Sequence, residues 1–399
     1  MPQHMANPHN KLRIIVTGYI VGYPLGGMTW HHLNYLLGFA ELGHEVIFYE
    51  DSGQWLQPYD PSNNTCSDDP SYGIGYLTEA FAYEGLEAKW CYHSELQGRY
   101  YGLSRDEWMN AVDGADLVLC VSGVTPWRDE FAKAKRRCVI DTDPVFTQLR
   151  MRHDESFLNY YKQFDRIATF GKLIGTPDCP LPTAGLKWVG TNQPIAMPHW
   201  PFIPPPPQGG RRMPFSTIGK WEHTSDRNFE YDGKSYASSK GIEWMKLLDL
   251  PRRVSMPLEM AMASMPDETK RTFESHGWRF TDPTIASIST NAYRDFIQSR
   301  SGEFTVAKQI YAGLPSGWFS DRSAAFLASG RPVITQSSGF EKWLPTGEGL
   351  FSFASIDEAQ AALESISADY PTHARAARQI AEEHFDASKV LSTLLDRIS

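Results

Sequence analysis

The chain is 399 residues long, 41% hydrophobic and 21% charged, with a formal net charge of -9. That length suits two domains, each large enough to bury its own core, and no apolar run reaches the roughly 18–20 residues that cross a bilayer. The negative balance disfavours sequence-independent attraction to a phosphate backbone, so nucleic acid is not an expected partner. Met1 to Asn10 are polar and lack the basic and apolar stretches of a secretory signal, which makes 1–10 an expected disordered leader. Cys66, Cys91, Cys120, Cys138 and Cys179 are scattered without a C-x-x-C spacing. They suggest reduced thiols in the cytoplasm rather than a disulfide framework or a zinc site.

Leu12 to Thr17 reads as a strand entering a glycine-rich turn at Gly18, Gly22, Gly26 and Gly27. Trp30 to Leu42 then has helical spacing of Leu33, Leu36, Leu37 and Ala40, and His44 to Tyr49 supplies the next apolar run. This is a βαβ unit of the length that a right-handed crossover needs. Ala88 to Tyr92, Asp116 to Val121, Arg137 to Ile140 and Arg166 to Phe170 continue as strands, with helices at Tyr76 to Tyr83 and Arg105 to Val112. Such alternation predicts a parallel sheet with helices on both faces over 11–200.

Between Pro194 and Pro207 prolines crowd the chain and exclude an interior helix or a central strand, so a linker is expected at 201–212. The α/β pattern resumes over 213–385. Strands are expected at Phe215 to Lys220, Leu258 to Ala263, Gly302 to Val306, Pro332 to Thr335 and Leu350 to Phe353. Helices are expected at Gly241 to Leu248, Asp267 to His276 and Arg322 to Ser329. The chain closes with helical stretches at Ile356 to Ala368, Thr372 to Phe385 and, within a C-terminal segment 386–399, Ser388 to Ile398. The fold class is therefore α/β, two Rossmann-like domains with an interdomain cleft and C-terminal helices, and ligands are expected outside the carboxyl ends of the strands.

Local sequences sharpen this. Leu25-Gly26-Gly27-Met28-Thr29-Trp30-His31, followed by Leu42-Gly43-His44-Glu45-Val46, resembles the opening of GT-B glycosyltransferases of the family 4 type. Ser323 to Val333, reading S-A-A-F-L-A-S-G-R-P-V, is similar to that group's donor-site helix and adjoining strand, and Thr335 to Gly339 with Gly347 to Leu350 is similar to the group's next loop and strand. The resemblance implies transfer of a sugar from a nucleotide diphosphate donor, a co-substrate rather than a bound cofactor, to a small-molecule or glycan acceptor. It implies no metal. Lys240-Gly241 resembles the K-G that places a basic side chain near the donor diphosphate. The group's two glutamates, seven residues apart, are missing: Gly317 and Ala325 stand there, so donor contacts fall to Asp321, Glu303 or Glu341.

The residues themselves are consistent with such a ligand. Gly26 and Gly27, in the loop before the helix, let backbone N–H groups approach a phosphate, and the helix N-terminus adds a partial positive charge. Ser320, Asp321, Arg322 and Ser323 gather hydroxyls, a guanidinium and unpaired N–H groups at another helix start, and Lys240 and Lys308 are candidates to neutralise the leaving diphosphate. The alternative for each is ordinary: a tight turn for the glycines, a solvated surface for the cations. His31 and Asp143 are candidates to orient or deprotonate the acceptor, with Trp30 and Asp141 on the acceptor side. Adjacent helical residues point about 100° apart, so only one of His31 and His32 faces a ligand, and the alignment favours His31. Asp141-Thr142-Asp143 has the form of a metal-binding D-x-D, yet belongs to a different fold when it binds metal, and Asp143 alternatively caps a helix beginning at Pro144. A nucleotide-sugar 2-epimerase of the same fold and a non-catalytic nucleotide- or sugar-binding protein are the remaining alternatives.

Overall fold

The computed structural model describes residues 11–54, 58–61, 65–205, 213–222 and 227–399. The leader and most of the expected linker, including Pro206 and Pro207, lie outside the described residues.

The first half holds strands β1 (Arg13–Thr17), β2 (Glu45–Asp51), a small hairpin of β3 (Tyr59–Asp60) and β4 (Thr65–Cys66), then β5 (Lys89–Ser94), β6 (Arg99–Gly102), β7 (Leu117–Val121), β8 (Arg137–Asp141), β9 (Arg166–Thr169) and β10 (Trp188–Gly190). Eight of these form one sheet in the order β10-β9-β8-β7-β1-β2-β5-β6, parallel except for the edge pair β5 and β6. Ile14, Ile15 and Val16 are fully buried, with Ile14 opposite Val46 on one side and Leu117 on the other. Burial on both faces is what the continuous apolar run of β1 requires.

The second half contributes β11 (Phe215–Lys220), a hairpin of β12 (Asn228–Tyr231) and β13 (Lys234–Ala237), then β14 (Leu258–Ala263), β15 (Arg279–Phe280), β16 (Gly302–Thr305), β17 (Val333–Gln336) and β18 (Leu350–Phe353). Six form a second parallel sheet, β15-β14-β11-β16-β17-β18. In each sheet the chain builds outward from its first strand on one side and returns to build on the other. The switch points lie between β1 and β7 and between β11 and β16, where crevices open at the carboxyl ends.

Two element boundaries differ from the sequence reading. The first helix spans Gly26–Glu41, so the paired glycines are its first turn and not a preceding loop; Leu25 is the extended residue before it. Asp143 does not cap a helix at Pro144, because the helix begins at Phe146 after Val145, a buried residue held at φ 77°. The hairpin β12–β13 was not anticipated: Asn228 to Ala237 is too polar to show a buried-strand pattern.

The C-terminal helix Ala387–Ile398 crosses back onto the first half and packs on Gly26–Glu41. A Cβ at Gly38 would stand 2.6 Å from Leu391 and 2.7 Å from Ala387, and Ile195 is fixed between the N–H of Ala387 and the carbonyl of Phe385 at 2.9 and 2.7 Å. One continuous apolar core thus joins the halves through Trp30, Trp200, Phe326 and Leu394.

Candidate functional site

The loop leaving β1 is held from below by one carboxylate. Glu50, buried at the end of β2, accepts the backbone N–H groups of Ile20, Val21 and Gly22 at 2.6, 2.7 and 2.6 Å. Burial pushes its carboxyl up to about 7 although those three bonds favour the charged form. His32 secures the loop's start. Its Nε2 accepts from the N–H of Tyr19 at 3.2 Å, and Gly18 leaves the space that the ring fills, since a Cβ there would come within 2.4 Å. Burial and the neighbouring His31 hold the His32 imidazole well below its ordinary pKa, so it stays neutral.

With His32 turned inward, His31 faces the crevice. Its Nδ1 lies 3.1 Å from Asp321 Oδ2 on the far side, and its Nε2 lies 3.2 Å from Ser122 Oγ. Ser122 follows β7 with φ 66° and receives the Thr142 hydroxyl at 2.9 Å. Burial opposes ionisation of Asp321, but the bond and charge of His31 and the N–H of Arg322 outweigh it and lower its pKa. An ionised Asp321 accepts from Nδ1–H, which fixes the tautomer and leaves the Nε2 lone pair beside Ser122.

Around Asp321 stand the expected cations. Arg322 is anchored on the sheet: Nε donates to buried Glu303, Nη1 to the carbonyl of Ile218 at 2.8 Å and Nη2 to Thr305 Oγ1 at 3.1 Å. Three of its five N–H groups are thereby used, at the switch point of the second sheet. Among the described residues Glu303 Oε2 is buried without a partner. Lys240 is the residue before helix Gly241–Met245, and its ammonium has no hydrogen bond or ion pair among the described residues. Burial, with the charges of Arg322 and Lys308 nearby, pushes that ammonium down to about 7. Lys308 Nζ sits 4.6 Å from the centroid of Phe146. Ser320 precedes the helix Asp321–Ala328, which has no side-chain cap bond from Ser320, and among the described residues the buried Ser323 hydroxyl has no partner.

Other sequence candidates are placed differently. Gly26 and Gly27 meet the second half directly: a Cβ on Gly26 would lie 2.3 Å from the Ser289 carbonyl, and one on Gly27 would lie 3.0 Å from the Tyr293 ring. Their smallness serves this close approach. Trp30, expected on the acceptor side, is buried, donating Nε1–H to the carbonyl of Thr290 at 2.9 Å. Asp141 is likewise buried, receiving Thr147, Gln148 and Thr169 at 2.7, 3.0 and 3.0 Å, and burial pushes its carboxyl up to about 6. Asp143 alone of the pair is exposed, accepting the Tyr311 hydroxyl at 2.8 Å. Gly317, where the resemblance would put a glutamate, has φ 77° and only 2.8 Å between a Cβ and Leu173. A side chain there would be strained and would crowd Leu173.

Two of the cavities at the carboxyl ends of the strands bear on the site. One of about 670 Å3 in the second half is lined by Tyr236, Glu243, Gln309, Gln336 and Phe353. The other, about 930 Å3, is lined by Ser122, Thr125, Arg128, Phe146 and Tyr160 of the first half and reaches Phe229 of the β12–β13 hairpin. Ser122 connects this larger cavity to His31. Sequence reading missed Glu50, Ser122 and Phe229; only Glu50 carried a signal, as an acid interrupting the end of an otherwise apolar strand.

Among solved structures, the chain superposes on AviGT4, a glycosyltransferase involved in avilamycin A biosynthesis, with a TM-score of 0.55 at 11% identity over 97% of both chains. Sucrose-phosphate synthase from Thermosynechococcus elongatus matches with a TM-score of 0.55 at 13% identity, covering 97% of this chain and 99% of that one. Anabaena HepE, solved in complex with UDP-glucose, matches with a TM-score of 0.55 at 11% identity, covering 96% and 99%. The chain has the GT-B fold. No protein-family model matches it, nor does any curated protein sequence. Among the described residues of this GT-B chain no group of three His, Cys, Asp or Glu side chains is placed to hold a metal ion, and no helix is long and apolar enough to cross a membrane.

Proposed function

We propose that this chain is a glycosyltransferase that moves a hexosyl or pentosyl group from a nucleotide diphosphate sugar, without a metal, to a small-molecule or glycan acceptor in the cytoplasm. The observation that carries the reading is His31, oriented by Asp321 of the second half and presenting Nε2 beside Ser122 at the mouth of the first half's cavity. In this reading the second domain, 213–385, holds the donor and the first, 11–200, holds the acceptor. Lys240, Lys308 and the two N–H groups that Arg322 keeps free surround the diphosphate, with the helix start at Ser320 to Ser323 adding N–H groups.

His31 Nε2 takes the proton of an acceptor hydroxyl as that oxygen bonds to the anomeric carbon. The bond from that carbon to the diphosphate oxygen breaks, and its electron pair leaves on the nucleotide diphosphate, whose new charge the cations stabilise. In this reading Asp143 orients the acceptor, and the Tyr311 hydroxyl on its carboxylate supports that role. The UDP and UDP-glucose complexes of similarly folded enzymes make UDP the first donor nucleotide to try.

A thermal-shift screen of nucleotides and nucleotide sugars, followed by turnover assays with an acceptor panel, tests the reading. Binding of a nucleoside diphosphate together with His31-dependent transfer supports it. Conversion of the nucleotide sugar alone into an epimer would replace it with a 2-epimerase, and tight nucleotide binding without turnover would replace it with a binding protein.

A further inference from the structure

The larger cavity has a distinct chemistry at each end. At one end Arg128 is more than neutralised, bonded to Asp51 at 2.7 and 2.8 Å and also paired with Glu95. At the other, Arg150 is matched by Asp154 at 2.9 Å, while the exposed guanidinium of Arg227 has no hydrogen bond or ion pair among the described residues. Both of these arginines lie over aromatic rings of the lining, Arg150 at 4.0 Å from the centroid of Phe157 and Arg227 at 4.8 Å from that of Phe229. Each ring steadies a cation; Arg227 keeps its N–H edges available, whereas Arg150 turns Nε and Nη2 to Asp154 and keeps only its Nη1 side.

Phe229 comes from the second half. It packs edge-on against Phe146 at 5.2 Å, and the same hairpin is tied to the first half by the Tyr231 hydroxyl on the carbonyl of Pro180 and by Arg152 over Tyr231 at 5.3 Å. The hairpin therefore contributes Phe229 to the wall of the cavity, which Tyr160 and Phe157 also line. A space of about 930 Å3 is in the range of small-molecule sites. Ser122 marks the part of the lining nearest His31.

Resting on the transferase reading, we propose that the acceptor is a small ring compound carrying one anionic group, with its ring against Phe229 and Phe157, its anion toward Arg227 and Arg150, and its reacting hydroxyl toward His31. A carboxylate is the simplest such group, on either a sugar ring or an aromatic ring. The unmatched charge of Arg227 selects for the anion, because Arg128 is already committed to Asp51 and Glu95.

Calorimetry on the full chain, with and without UDP, tests this with two matched pairs: glucuronate against glucuronamide, and 4-hydroxybenzoate against 4-hydroxybenzamide. In at least one pair the acid is expected to bind about tenfold more tightly than the amide. Arg227→Gln, at an exposed position, should bring that ratio close to one with UDP affinity unchanged, and Phe229→Ala should weaken acid and amide alike. Which pair responds distinguishes a sugar acid from an aromatic acid. Equal affinities of acid and amide, absence of binding by all four, or a ratio that survives Arg227→Gln overturns the proposal. Discrimination by Arg227 in a chain that binds no nucleotide would retain the cavity's preference and remove the transferase reading.

Discussion

His31, in the second turn of helix Gly26–Glu41, and Asp321, at the start of helix Asp321–Ala328, face each other from opposite halves of the chain, with 3.1 Å between Nδ1 and Oδ2. Neither residue is sequence-adjacent to the other's half, so the bond exists only when the crevice is assembled. Replacing Asp321 by Asn keeps the size and removes the charge that fixes the histidine tautomer. Transfer by Asp321→Asn is expected to fall on the order of 10²-fold, and by His31→Ala up to about 10⁴-fold, with nucleotide affinity retained in the histidine variant. Steady-state kcat beside nucleotide binding checks this, and a His31→Ala enzyme with full kcat would remove the histidine from the mechanism.

Lys240 gives a proton signature. Its ammonium is pushed down to about 7 by burial and by the adjoining cations, so at pH 8 the free chain holds it largely neutral. A bound diphosphate would restore the charge, and binding at pH 8 should therefore take up close to one proton. Calorimetry in buffers of different ionisation enthalpy measures that uptake, and Lys240→Met should abolish it. In the ligand-free chain the sign is opposite to that of a stabilising ion pair. Because the folded pKa is depressed, the cost of charging Lys240 is present at and below about pH 7 and disappears as the pH rises toward the ordinary lysine value.

The two sheets were legible in the sequence because buried parallel strands are unbroken apolar runs, as at Ile14 to Val16 and Leu117 to Val121. That at most one of His31 and His32 faces the crevice was legible from their offset of about 100°, while the choice of His31 rested on the resemblance. What could not be read was contact across the crevice. Gly26 and Gly27 look the same whether a phosphate or Tyr293 approaches them. Trp30 and Asp141 have residue types that suit a ligand site, yet Thr290 and the pair Thr147 and Gln148 are their partners. The β12–β13 hairpin escaped because its alternation is confined to Phe229 and Tyr231 on a half-buried face, a run too short to stand out among polar residues.

The Arg322–Glu303 pair makes a simple alanine scan misleading. Arg322→Ala removes a cation from the diphosphate site and also strands the fully buried Glu303 carboxylate. That should destabilise the chain by about 3–5 kcal/mol, the usual result of breaking a buried pair from one side. The double variant Arg322→Met with Glu303→Leu is expected to recover most of this loss while still binding nucleotide diphosphate weakly. Urea denaturation alongside calorimetry separates the two effects; a double variant no more stable than Arg322→Ala would contradict the assignment.

Gly26→Ala probes the seam between the halves. The new Cβ would meet the backbone carbonyl of Ser289 at 2.3 Å, which no side-chain rotation relieves, whereas Gly27→Ala meets the Tyr293 ring at 3.0 Å and needs only a small shift. Overpacking of the first kind costs about 1–3 kcal/mol. Thermal unfolding should therefore rank Gly26→Ala well below Gly27→Ala, and equal melting temperatures would show that the halves separate at this point without cost.

Glu50 lets the loop after β1 be tested by pH alone. Its folded pKa is about 7, above the ordinary carboxyl value near 4.5, so between these values the folded chain binds the extra proton. Stability relative to a non-titrating variant must then fall as the pH rises from about 4.5 to 7 and stay level above, by on the order of 3 kcal/mol. Glu50→Gln is the comparison: its carbonyl oxygen still accepts backbone N–H groups of Ile20 to Gly22, although its amide opposes one of them, and it does not ionise. All other titrating groups are common to both proteins and cancel in the difference. Urea midpoints at pH 5 and pH 7.5 should show the wild-type chain losing ground to the variant across that interval. Parallel curves would mean that the three N–H groups hold the Glu50 carboxylate charged at both pH values, and that the loop carrying the path to His31 is anchored by an anion throughout.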